Sequence, residues 1–185
     1  DVAEEHAPQY IDMPPWDERS QLMEEKTALG FFFSGHPYDS YKPELGRFIR
    51  RSLSQLQPAK EFQTLAGIVV GVRTQMTRRG KMLFVQLDDG TAMVEVSVFN
   101  ELFEAERRKI LTDAILVVEG KVSYDDFSGG NRVVAERLMT LGEARARFAK
   151  HLRLQLTPAT ADAQRLRTLL QPFTPGNAPV RLLYR

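Results

Sequence analysis

Between Thr64 and Leu141 apolar residues alternate with polar ones at the two-residue period of strands, and this stretch organises the chain. The pattern predicts a first strand over Thr64 to Thr74, a basic turn Thr77-Arg78-Arg79-Gly80-Lys81, and a second strand over Met82 to Asp88. Asp89-Gly90 is a hairpin signal, and Ala92 to Phe99 alternates cleanly as a third strand. A helix follows over Glu101 to Leu111, with Asn100 placed to cap it and Leu102, Phe103, Ile110 and Leu111 near helical spacing. Two further strands, Ala114 to Tyr124 and Arg132 to Leu141, are joined by the turn Asp125-Asp126-Phe127-Ser128-Gly129-Gly130-Asn131.

Three strands, a helix and two strands is the element order of an OB-fold, a five-stranded Greek-key barrel. A sandwich would lack the single helix after the third strand, and a parallel sheet would need a helix after nearly every strand. Gly67, Gly71 and Gly120 can permit the sharp bends of a small closed barrel. The predicted class is mainly β with flanking helices, and the barrel takes fewer than half of the 185 residues.

On either side the pattern changes. Residues 1–15 are acidic and carry Pro8, Pro14 and Pro15, which suits an extended arm. Trp16 to Leu29 reads as a helix with Asp17 and Glu18 in its first turn and Gly30 as its stop. The run Phe31-Phe32-Phe33 is expected to be buried in a packed turn that continues through Gly35-His36-Pro37. A second helix is expected over Ser40 to Ser52, burying Leu45, Phe48 and Ile49, before the Gln57-Pro58 break. After Leu141, Gly142 to Lys150 reads as a short basic helix and Leu152 to Leu156 as a strand. Thr157-Pro158 is expected to open a helix with Ala163, Leu166, Leu169 and Leu170 on one side, and Val180 to Tyr184 to begin a strand without a partner, so that a further segment is expected beyond Arg185. The expected organisation is thus 1–63, 64–141 and 142–185.

Charge sharpens this picture. Lys and Arg total 25 against 24 Asp and Glu, a net charge of +1, yet the distribution is uneven. The first twenty-five residues hold eight acids and one Arg, whereas the only charges from Gly71 to Leu87 are Arg73, Arg78, Arg79 and Lys81. The absence of cysteine excludes disulfides and thiolate metal sites and suits a reducing cytoplasm. No apolar run approaches a membrane span, and the acidic start is unlike a signal peptide.

His6, His36 and His151 are isolated, which argues against a metal site built on them. Asp88-Asp89 and Asp125-Asp126 each abut a turn, where Asp is favoured for its backbone hydrogen bonds over a role in holding Mg²⁺. No phosphate-cradling loop or nucleophile elbow appears. A basic hairpin on a barrel points instead to single-stranded nucleic acid, held by cations on phosphates and rings under bases. The candidate contacts are Arg73, Arg78, Arg79, Lys81 and Arg132 for charge, with Tyr124 and Phe127 for stacking. Phe84 and Phe99 alternate with apolar neighbours and read as core.

Two segments resemble a known family. Leu29-Gly30-Phe31-Phe32-Phe33-Ser34-Gly35-His36-Pro37 followed by Tyr41 is similar to the segment preceding the OB domain in alpha subunits of bacterial DNA polymerase III, and Gly120-Lys121-Val122-Ser123-Tyr124-Asp125-Asp126-Phe127-Ser128-Gly129-Gly130 is similar to a turn of that domain. Met139 with Glu143-Ala144-Arg145 fits the stretch after that turn in the family. The resemblance implies the end of a clamp-binding region, an OB domain and the start of a small α/β tail domain. It implies a parent that is a DNA-directed DNA polymerase, a nucleotidyltransferase whose Mg-binding aspartates lie upstream, with no active site or cofactor in this stretch. Implied partners are single-stranded DNA, the sliding clamp through a peptide just before residue 1, the clamp-loader tau subunit through the tail domain, and the proofreading exonuclease subunit. Two other readings suit the same barrel: the anticodon-binding domain of a class II aminoacyl-tRNA synthetase, and a module that touches only proteins.

Overall fold

The computed structural model describes residues 13–77, 80–125, 129–159, 162–176 and 178–184. Its centre is a closed barrel with strand order β1-β2-β3-β5-β4. The strands are β1 Gln63–Thr77, β2 Gly80–Asp88, β3 Met93–Val98, β4 Ile115–Asp125 and β5 Gly130–Thr140. All neighbours are antiparallel except β3 and β5, whose parallel pairing, Val96 with Val133 and Ser97 with Val134, closes the barrel. The helix expected after the third strand is present but shorter. It is α3, Asn100–Glu106, followed by a single 3-10 turn, and the residue at its N-cap is Phe99.

The period-two pattern explains the core. Leu65, Val69, Leu83, Val85, Leu87, Val96, Val98, Leu116, Val118, Val122, Val133 and Leu138 point inward and are buried together. Two register shifts give the strands their curvature, between Val69 and Gly71 in β1 and between Glu119 and Gly120 in β4. At the second, a Cβ on residue 120 would lie 2.7 Å from the carbonyl oxygen of Val134, so only glycine lets the strands approach this closely.

The segment before the barrel packs on its outer wall. Helix α1, Glu18–Leu29, starts at Asp17, whose side chain accepts the Ser20 N–H, and ends at Gly30 in the left-handed region with φ 82°. A second apolar cluster joins Tyr38, Leu45, Ala66, Ile68, Val117, Met139 and Ala144, with Phe48 stacked on Phe148 at 4.9 Å between ring centroids. The helix expected over Ser40 to Ser52 is instead one short helix, α2, Lys42–Leu45, flanked by a 3-10 turn at Asp39–Tyr41 and another at Leu53–Gln55. Gly46 ends α2, and the non-helical path beyond it lets Phe48 and Ile49 reach the second cluster. Helix α4, Leu141–Phe148, begins in a capping box of Thr140 and Glu143, and its Arg145 forms a two-pronged ion pair with Glu44 at 2.5 and 2.7 Å.

Two expectations fail here for physical reasons. Phe31 and Phe33 are 57% and 77% exposed, because the Glu25 carboxylate accepts the N–H groups of Phe33 and Ser34 and pins the turn with those rings outward. Only Phe32 turns in, edge-on to His36. The last strand, β7 Val180–Tyr184, does have a partner: it pairs in parallel with β6, Leu152–Leu156, from Leu152–Val180 to Leu156–Tyr184. The crossover between them is α5, Ala163–Leu170, capped by Asp162 and not opened by Thr157-Pro158.

Candidate nucleic-acid interface

Side chains on β2 alternate between Leu83, Val85 and Leu87 inside and Phe84 and Gln86 outside. Phe84 is therefore half-buried on the outer face, against the expectation that it fills the core, and Phe99 just past β3 is exposed. Register then fixes what surrounds Phe84. Arg73 of β1 is its partner on one side and Ser97 of β3 on the other, and Ser97 in turn pairs with Val134 of β5. The Arg73 guanidinium lies over the Phe84 ring with its carbon 3.9 Å from the centroid. Its Nε donates to Glu95 Oε2 at 3.0 Å and its Nη2 to Glu95 Oε1 at 2.9 Å. Glu95, on β3 opposite Gln86, shares this outer face.

Above the row the hairpin of β1 and β2 stands clear of the barrel, since every residue from Val72 to Thr77 is exposed. Lys81 sits one pair from its turn, opposite Met76, half-buried, with Nζ 5.0 Å from the Phe103 ring centroid of α3. Arg78 and Arg79 lie outside the described residues, as does Phe127. Toward the β4-β5 turn, Arg132 on β5 is exposed opposite Ser123 on the side of Lys121, whereas Tyr124, 58% exposed near the end of β4, follows Val122 on the other side of the strand. Lys121, a further exposed cation, pairs with Val134. The structure thus groups Arg73 with Lys81 on one hairpin and Tyr124 with Arg132 on the other. Phe84, Glu95 and Lys121 join the face without standing out as candidates in the sequence. Strict alternation from Leu83 would have placed Phe84 outward, whereas nothing local in the sequence marks Glu95 as the partner of Arg73.

Of the paired aspartates, Asp126 lies outside the described residues, and Asp88 and Asp89 do other work. Asp89 is 2% exposed, and its carboxylate accepts from the N–H groups of Leu53, Thr91 and Ala92 and from the Thr91 hydroxyl. Burial pushes its carboxyl up, but the Thr91 hydroxyl and the three N–H groups outweigh that and hold it below the usual value. Asp88 accepts the Gly90 N–H at 2.8 Å and faces His36 Nε2 at 3.5 Å, which docks the Gly35-His36-Pro37 turn on the β2-β3 turn. Gly90, at φ 79°, lies against the imidazole, where a Cβ would meet Cγ at 3.2 Å. Among the described residues no three His, Cys, Asp or Glu come together as a metal site, and no helix is long and apolar enough to cross a membrane. A cavity of about 500 Å³ lies between α1 and the barrel wall, lined by Leu22, Met23, Tyr41, Ile68 and Leu111 among others. None of the predicted contacts lines it.

Comparison with known proteins bears on the fold and the family. The family model of an OB-fold nucleic acid binding domain (tRNA_anti-codon) matches residues 63–141. The DNA polymerase III subunit alpha of Pseudomonas aeruginosa is 43% identical over 169 residues, covering 90% of this chain and 14% of the relative. The corresponding subunit of Escherichia coli K12 is 36% identical over 183 residues, covering 95% of this chain and 16% of the relative. Among solved structures, a domain of replication protein A from Methanococcus maripaludis is 20% identical with a TM-score of 0.41, covering 49% of this chain and 93% of that one. The chain spans about one seventh of the length of the curated relatives it matches. It belongs to the family of DNA polymerase III alpha subunits, within which it covers an OB-fold nucleic acid binding domain and the elements on either side of it.

Proposed function

We propose that this chain is a non-catalytic part of a bacterial replicative DNA polymerase, acting in the cytoplasm, and that the outer face of its barrel holds single-stranded template DNA. The observation that carries the reading is the β1-β2 hairpin, which projects beyond the barrel with every residue from Val72 to Thr77 exposed and whose only charges in sequence are basic. In an OB-fold this hairpin and the β4-β5 turn flank the ligand face. Arg78, Arg79, Lys81 and Arg132 supply charge to phosphates, and Tyr124 and Phe127 supply rings at the far turn. Near-neutral net charge conceals this local positive field. The anticodon-binding alternative accounts for the barrel alone, whereas likeness to alpha subunits runs over 90% or more of the chain.

The sliding clamp, the clamp-loader tau subunit and the exonuclease subunit are partners of the proposed parent, reached through neighbouring regions. Catalysis with Mg²⁺ belongs to the parent's upstream domains in this reading. Fluorescence anisotropy with labelled oligo-dT over a salt series tests it. Each phosphate contact to a single strand contributes a slope of about −0.7 in log K against log[salt], so Arg78→Ala/Arg79→Ala flattens the slope by roughly 1.4. An unchanged slope removes the hairpin tip from the interface, and a pull-down of tau without any DNA binding would favour the protein-contact reading.

A further inference from the structure

We infer that Arg73 is a stacking platform for a nucleobase and not a phosphate contact. This deepens the single-strand reading above and rests on it. An exposed arginine in a cationic hairpin is ordinarily assigned to phosphate, which it binds through the in-plane N–H groups of its fork. Here Nε and Nη2, one of the two bidentate edges of the guanidinium, are both engaged by the two oxygens of Glu95 at 3.0 and 2.9 Å, which also offset its charge. One face of the guanidinium is covered by the Phe84 ring at 3.9 Å. The Arg73 side chain nonetheless stays 56% exposed, so its opposite flat face, with the Nη1 end beside it, is open to a ligand.

A flat, delocalised cation held from below and from the edge is what an unstacked base can lie on, since bases stack on guanidinium planes as they do on aromatic rings. The arrangement also explains why Phe84 faces out without serving as the platform itself: Arg73 takes the place of the base on its ring. Glu95 is the positioning residue, fixing the plane, occupying its Nε–Nη2 edge and offsetting the charge that would draw a phosphate. The position suits the role. Arg73 lies four residues along β1 from the hairpin end at Thr77, and its row continues through Ser97 and Val134 to Lys121, four residues before the end of β4 at Asp125. At about 3.3 Å per residue, that centres it on a face roughly 26 Å long, room for a few nucleotides with phosphate-binding cations toward both ends. Base sequence matters little at such a site, because every base has a π-face.

The test compares binding of oligo-dT with binding of an equally long abasic strand, which keeps the sugar-phosphate chain and lacks bases, each over a salt series. Wild type is expected to favour oligo-dT by about tenfold or more, within the range of a stacking contribution. Arg73→Lys keeps the charge at an exposed position and loses the plane: the preference falls several-fold while the salt slope holds. Arg73→Ala likewise leaves the slope unchanged. Glu95→Gln releases the fork, so the slope steepens by about 0.7 and the preference for bases declines. A slope lowered by about 0.7 in Arg73→Ala with the preference intact would show a phosphate contact and overturn the inference. So would equal wild-type affinity for both strands, or a Glu95→Gln variant indistinguishable from wild type, while leaving phosphate binding by the hairpin in place. No binding to either strand overturns the single-strand reading itself and this inference with it.

Discussion

At Asp89 one carboxylate joins two parts of the chain, because its oxygens accept both from the β2-β3 turn and from Leu53 at the start of the 3-10 turn before the barrel. Asp89→Ala leaves those buried N–H groups without an acceptor and is expected to cost about 3 kcal/mol in urea denaturation at pH 7. The sign of the pH effect is set by the direction of the shift. A carboxyl held below its usual value contributes stability above the unfolded-state value and loses it as pH falls through the folded value. The difference between wild type and Asp89→Asn therefore narrows at acid pH. Glu25 obeys the same rule: the Ser34 hydroxyl, followed by the Ser34 N–H, brings its carboxyl down to about 2 from 4.5, despite a smaller opposing effect of desolvation. Its contribution is complete above about 4.5 and is lost toward 2, and an NMR titration of Ser34→Ala should find the Glu25 carboxyl titrating higher.

Strands and helices followed the sequence wherever a local period decided them. β6 and β7 match the expected runs residue for residue, β6 on its alternation. β1 runs three residues past Thr74, to Thr77, because pairing with β2 continues to Gly80 and cross-strand hydrogen bonds hold residues whose own pattern is polar. The helix expected over Ser40 to Ser52 shrank because tertiary packing of Phe48 against Phe148 outweighs helical spacing. The parallel partner of β7 was illegible for a related reason: it is reached across α5, and no local signal names a strand 28 residues away. The proposed interface was half legible. Its cations and the two turns stand out in sequence, but the Arg73-Phe84-Glu95 set spans three strands and exists only through their register. The bulge at Gly120 gives an element-scale test. Gly120→Ala places a methyl against the Val134 backbone, which cannot move without disturbing the β4-β5 ladder. A cost of about 1–3 kcal/mol is expected, read as a melting temperature lowered by several degrees.

For the molecule as a whole, the exposed rings of Phe31 and Phe33 and the ligand face of the barrel are separate surfaces with separate consequences. Phe31→Ser/Phe33→Ser removes apolar surface that contributes little to this fold, so thermal stability should change by no more than about 0.5 kcal/mol per site and binding of oligo-dT not at all. Primer extension with Mg²⁺ and dNTPs should stay at background, because the Asp88 and Asp89 carboxylates are engaged in a turn. The central claim concerns location, and mapping amide chemical shifts of the 185-residue chain as oligo-dT is added tests it most directly. The account predicts perturbations confined to the β1-β2 hairpin, to Phe84, Glu95 and Ser97, and to the β4-β5 turn with Tyr124 and Arg132, with none around the Glu44–Arg145 pair. Saturable shifts centred on α2 and α4, or no shifts at all, would contradict it.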